Sequence, residues 1–293
     1  MRIFDIKNKE NSLMVNYDKL FKVILYVGLI NVVISTLSSS LPSLFSLILS
    51  ILTITISHGC VVASLKTVNN MQEQIEPMDD AFVGFKKFKK LFSTYFIYQL
   101  ILLVIMAVVC LVGGIIVITM IGKGNLEQLY QLVLTFSRVS SLDSSQVVQM
   151  VQLFGNSLGV IYLFVLIILV ISVIYSLQFG LYPYILEKYN IRGIAALKES
   201  SRLMKGHKWT LFKLQLSFIG WMILSSLVVA LFMNVLSIII PSLAIISGIS
   251  SVLGVFVETY LFNMKLNVCL AVFYEELDYF DKNTQNSYEG ESL

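Results

Sequence analysis

Residues 91–122 read LFSTYFIYQLILLVIMAVVCLVGGIIVITMIG, without one Asp, Glu, Lys or Arg. A helical bilayer crossing needs about 20 predominantly apolar residues, and this stretch exceeds that. Residues 23–65, 144–186 and 214–257 are equally free of charge. The stretches 23–65 and 214–257 are long enough to cross twice. Backbone amides and carbonyls in hydrocarbon must be satisfied within the segment, so these runs are helices or strands of a closed barrel. Continuous Leu, Ile and Val, rather than alternation, select helices. The expected fold class is all-α: a polytopic membrane helical bundle with about six transmembrane helices and short amphipathic interfacial helices.

Composition agrees. Hydrophobic residues make up 57% of the chain and charged ones 13%, against roughly 25% charged in a soluble domain. The net charge of +3 matters less than where the charges fall. Cys60, Cys110 and Cys269 sit in or beside apolar runs without partner spacing, which argues against a disulfide framework or thiolate metal site. The mixed charge of Arg2, Asp5, Lys7, Lys9, Glu10 and Asp18 does not fit a cleavable signal peptide, so the first helix is expected to act as its own insertion signal.

The spans are expected near 20–37, 44–65, 95–121, 158–182, 212–235 and 243–262. The first pair turns around residues 38–43 and the last around Pro241 and Ser242. Cations then fall in alternate gaps. They precede the first helix (Arg2, Lys7, Lys9, Lys19, Lys22), follow the second (Lys66, Lys86, Lys87, Lys89, Lys90) and crowd between the fourth and fifth. Lys265 and Lys282 come after the sixth. Of 21 cations, only Lys123 and Arg138 fall on the other side. The positive-inside rule then places both termini in the cytoplasm. One transmembrane domain is expected over 1–275, followed by a polar cytoplasmic tail at 276–293.

The gaps carry their own patterns. Leu126, Leu129, Tyr130, Val133 and Phe136, then Val147, Val148, Val151 and Phe154, repeat at helical spacing in the 123–156 outer segment, which suits two amphipathic helices on the membrane surface. The run from Phe82 to Phe92 interleaves aromatics with Lys86, Lys87, Lys89 and Lys90, as a juxtamembrane anchor on anionic headgroups would. Between the fourth and fifth spans, Lys198, Arg202 and Lys205 stack along one helical side, Gly206 can close that helix in a left-handed turn, and Lys208 and Trp209 follow where an indole prefers to sit. Such a stripe suits phosphate, either as a lipid headgroup site or as a topology determinant resting on anionic lipid.

The block Ala196, Leu197, Lys198, Ser201, Leu203 to Trp209, Phe212, Leu214, and Leu216 to Trp221 resembles the hallmark block of an uncharacterised family of bacterial integral membrane proteins, domain of unknown function 975. Tyr182, Pro183, Tyr184, Phe273 and Tyr274 add to the resemblance. Asn190 and Ile191 stand where the family often has a proline, and Met264 and Lys265 where it tends to have Pro-Tyr. The basic block is also loosely similar to the membrane domain attached to some glycerophosphodiester phosphodiesterases. The resemblance implies a multi-pass protein of a bacterial cytoplasmic membrane, and no reaction.

Glu258 is the one carboxylate expected close to hydrocarbon, where ionisable groups default to a functional hypothesis. Lys265, seven residues on, shares its expected face, and Lys213 is a second candidate partner. His58 and His207 have no adjacent carboxylates, so no zinc shell is expected, and His58 reads as a satisfied core histidine. Gly113 with Gly114, and Gly155 with Gly159, offer close helix approach. No nucleophile elbow or phosphate loop is present. The leading expectation is a non-enzymatic accessory or structural membrane component, without cofactor, metal or nucleic acid. It would contact anionic headgroups or a partner membrane protein through Lys198, Arg202, Lys205, Lys208 and Trp209, as exporter support or self-protection against membrane-active peptides would require. The competing class is a small-solute or lipid transporter with a cavity near Glu258, closed outside by the 123–156 hairpin.

Overall fold

The apolar runs fold as helices. A computed structural model describes residues 2–14, 17–39, 43–121, 130, 158–240 and 242–290, and among these residues there is no β-strand. The helices are α1 (Ile3–Leu13), α2 (Asp18–Ser39), α3 (Ser43–Ile56), α4 (His58–Val68), α5 (Pro77–Ala81), α6 (Val83–Lys86), α7 (Phe88–Ile121), α8 (Leu158–Phe179), α9 (Tyr182–Tyr189), α10 (Ile194–Leu203), α11 (Lys208–Leu216), α12 (Ile219–Ile239), α13 (Leu243–Glu258) and α14 (Met264–Gly290). A single π turn, Thr259–Asn263, joins α13 to α14. The expected amphipathic hairpin at 123–156 lies outside the described residues, Tyr130 apart.

Among the described residues, 5 helices are long and apolar enough to cross a membrane: Asp18–Ser38, Phe88–Met120, Gly159–Tyr189, Lys208–Ile239 and Ile245–Asn283. Their apolar side chains face outward, Leu111 of α7 and Tyr162 of α8 being 67% and 73% exposed. An apolar surface of that extent requires hydrocarbon or a partner against it.

The span expected at 44–65 is instead two shorter helices broken at Ser57. Ser57 Oγ donates to the Thr53 carbonyl at 2.9 Å, a back-bond that bends helices. Beyond the break, Gly59 presses on α5, where a Cβ would sit 2.6 Å from the Asp80 carbonyl oxygen. Packing thus draws α4 into the protein core, while α3 and α4 both lie against α2 and together form the return leg of the hairpin that α2 begins.

Packing divides the chain into two compact units, one of residues 1–98 with 177–293 and one of residues 99–176. In the second, Gly113 lets α7 meet α8, since a Cβ there would reach 2.8 Å from the Phe164 ring. The expected close approach fails at Gly114 and Gly159, which face open space because they lie off that contact stripe. Gly155 lies outside the described residues.

The first unit holds the dense core. Its centre is α4, buried almost throughout and packed on α14, α2 and α9. From α14 come Val268, Cys269, Ala271, Val272, Phe273 and Tyr274, all fully buried. The Tyr274 ring stacks on Tyr184 of α9, with centroids 5.3 Å apart. Lys66 of α4 pairs with buried Asp80 at 2.7 Å, and Asp80 Oδ2 also accepts from the Glu76 amide, closing the first turn of α5. A Cβ on Gly28 of α2 would collide with Val255 of α13, so those helices touch backbone to side chain. The expected boundary at 275/276 falls inside α14, which continues as helix to Gly290.

Candidate functional site

α9, α10 and the end of α14 meet through charge. Asn190 ends α9 in the left-handed region (φ 54°) and Gly193 opens α10 with φ 62°, so a tight reversal lays the two helices against each other. The expected left-handed glycine is also present, Gly206 having φ 85° in the turn after α10.

The basic stripe divides its work. Arg202 places Nη1 and Nη2 each 2.7 Å from the two carboxylate oxygens of Asp281, while Nε and Nη2 donate to Glu199 at 2.9 and 2.6 Å. Glu199 first, then Asp281, pushes the Arg202 guanidinium still further up from its ordinary value. Lys208 donates to Gln178 Oε1 at 3.1 Å. Lys198 and Lys205 are exposed. Among the described residues no ion pair involves either of them. Trp209 is 63% exposed, stacked on Phe212 and covered by the Lys213 ammonium 5.4 Å from its ring.

One turn back along α14, Lys188 of α9 bridges Glu275 and Asp278 and lies over the Tyr274 ring. Asp278, almost buried, also accepts from the Tyr189 hydroxyl and pairs with Lys282. Glu275, Asp278 and Asp281 recur at intervals of three along α14, the first two facing Lys188 of α9 and the last Arg202 of α10. That recurrence was readable in the sequence, but only a helix continuing past residue 275 places the acids on one side.

A second cluster lies deeper. His58, with no exposed side-chain surface, has Nδ1 2.9 Å from the Tyr95 hydroxyl and Nε2 3.2 Å from Glu187 Oε2. Lys87 donates to both Glu187 oxygens at 2.6 and 2.9 Å. Tyr182 packs edge-on against Tyr95 and stacks on Tyr98. The cluster ties α4, α7 and α9 together. His58 is the satisfied core histidine expected, but its carboxylate partner stands 129 residues away, beyond the reach of local spacing.

Glu258 and Lys265 do not meet. Both are exposed and no ion pair joins them among the described residues. The π turn adds one residue to the helical repeat between them and rotates Lys265 off the face of Glu258. Lys213, the other expected partner, lies over Trp209. Near α1, the buried carboxyl of Glu10 is pushed up by burial, against the opposing pull of Lys265 and Lys7. No group of three or more His, Cys, Asp or Glu side chains among the described residues is arranged to hold a metal ion.

No curated protein and no solved structure matches the chain. Residues 1–278 match the family described as Protein of unknown function (DUF975), and the chain with its membrane-length helices and charged clasp belongs to that family.

Proposed function

We propose that this chain is a non-enzymatic accessory component of a bacterial cytoplasmic membrane, with both termini in the cytoplasm, that contacts anionic lipid headgroups through α10 and the turn that follows it. The observation that carries this reading is the pair Lys198 and Lys205, exposed and outside every ion pair among the described residues, next to an exposed Trp209 under Lys213. Ammonium groups flanking an indole at the end of a membrane-length helix suit the headgroup layer. The non-enzymatic reading is supported by His58, whose ring is sealed in the core with both nitrogens occupied.

The test is native mass spectrometry of protein extracted in mild detergent. Wild-type protein should retain anionic phospholipid, and Lys198→Gln with Lys205→Gln should bind it roughly 30-fold more weakly, each cation contributing on the order of 1 kcal/mol near such a surface. Equal retention would end the reading. Co-purification of a membrane protein that is lost in the same variant would replace lipid by a protein partner.

A further inference from the structure

The stripe proposed to meet lipid has its central cation already occupied. Both Arg202 terminal nitrogens face both oxygens of Asp281, the two-pronged geometry in which a guanidinium also takes a phosphate. The flanking cations, Lys198 one turn before and Lys205 three residues after, are exposed. The acid therefore occupies the Arg202 fork, the position that two oxygens of a lipid phosphate would take.

The exposures differ along the clasp. The Asp278 and Glu275 side chains, which hold Lys188, are 7% and 16% exposed, whereas Asp281 is 27% and Arg202 45% exposed. Ion pairs as open as the last contribute little to stability. The inner pairs, with buried Phe273, Tyr274 and Leu277, anchor α14 whatever happens beyond them. The Asp281–Arg202 pair is more open than these, and Glu199, 30% exposed on the same helix as Arg202, holds Nε and Nη2 from the other side and keeps the guanidinium in place when Asp281 leaves.

We infer that Asp281 is an intramolecular stand-in for a lipid phosphate: the end of α14 competes for the Arg202 fork, and Lys198, Arg202 and Lys205 form a complete site for the phosphate of an anionic phospholipid when Asp281 gives way. The inference rests on the lipid-contact reading above and adds a ligand, a central residue and a competitor to it. It also explains a stripe built with an arginine at its centre, since the fork accepts carboxylate or phosphate alike while the flanking lysines add charge alone.

Full-length protein in mild detergent, titrated with phosphatidylglycerol and read by native mass spectrometry, tests it. Asp281→Asn removes the competing charge at constant shape and should tighten binding roughly two- to five-fold, the range that a surface pair of this kind supplies. Asp281→Glu should restore wild-type affinity, and adding Arg202→Gln to Asp281→Asn should abolish the gain. Phosphatidylcholine, without net negative charge, should bind weakly and equally to all variants. If Asp281→Asn leaves affinity unchanged while Lys198→Gln with Lys205→Gln still weakens it, the competitor is refuted and the lipid-contact reading survives. If no variant alters binding, both fall. Displacement of phosphatidylglycerol by inorganic phosphate at comparable concentration would overturn the assignment of a lipid ligand.

Discussion

Removing the Glu187 carboxylate tests whether the buried cluster holds α4 in the core. In Glu187→Ala, His58 Nε2 loses its partner inside a side chain with no exposed surface, and stranding a buried polar atom costs about 1–3 kcal/mol. Lys87, 40% exposed, can turn to water, so its lost pair adds about 0–1 kcal/mol. The expected loss is therefore about 2 kcal/mol, or a fall of roughly 3 °C in unfolding temperature for a chain of this size. Thiol labelling during heating reads it directly: Cys60 and Cys269 are buried and report unfolding, while Cys110, on the outward face of α7, is best replaced by Ser. A double variant, His58→Ala with Glu187→Ala, should lose little more than either single one, because the residues act as one network. Unfolding within about 1 °C of wild type, or fully additive losses, would refute the role assigned to the cluster.

Gly84→Ala should destabilise by about 1–3 kcal/mol through overpacking, because its Cβ would lie 2.3 Å from the Thr55 carbonyl oxygen and 2.7 Å from Ile56 Cα; Gly114→Ala, facing open space, should leave the unfolding temperature unchanged. Burial raises the folded-state pKa of Glu10 above its unfolded value near about 4.3, so folding favours the protonated acid. That contribution is complete below the unfolded value and fades as pH rises through the folded one. Stability should accordingly drop as pH rises through the Glu10 titration, and Glu10→Gln should flatten the profile; parallel profiles would exclude Glu10 as the source. Glu258→Gln in reconstituted vesicles should leave solute flux at the protein-free level, whereas flux that appears in wild type and vanishes in the variant would favour the transporter class. Labelling of introduced cysteines from outside intact cells should reach positions near 140 and spare 198–208; the reverse pattern would invert the proposed topology.

Much of the fold was legible because it depends on local chemistry. Charge-free runs longer than a bilayer core favour helices, and their described residues are helical, with ends near those expected for α2 and α8. The left-handed Gly206 followed from one residue's lack of a Cβ. The break at Ser57 was not legible: hydropathy treats 44–65 as one run, and the force that ends it is contact with Asp80 and Ala81 from another helix. The stripe of Lys198, Arg202 and Lys205 was readable as a stripe, but the carboxylate that occupies its centre is 79 residues further on.

By itself the sequence determined that this chain forms membrane-length apolar helices, since hydrophobic transfer and backbone hydrogen bonding act residue by residue along a chain. Tertiary structure alone decided which charges remain available. A cation is spent or free according to whether an acid reaches it through space, and Asp281 at Arg202, Asp278 at Lys188 and Glu187 at His58 all come from helices remote in sequence.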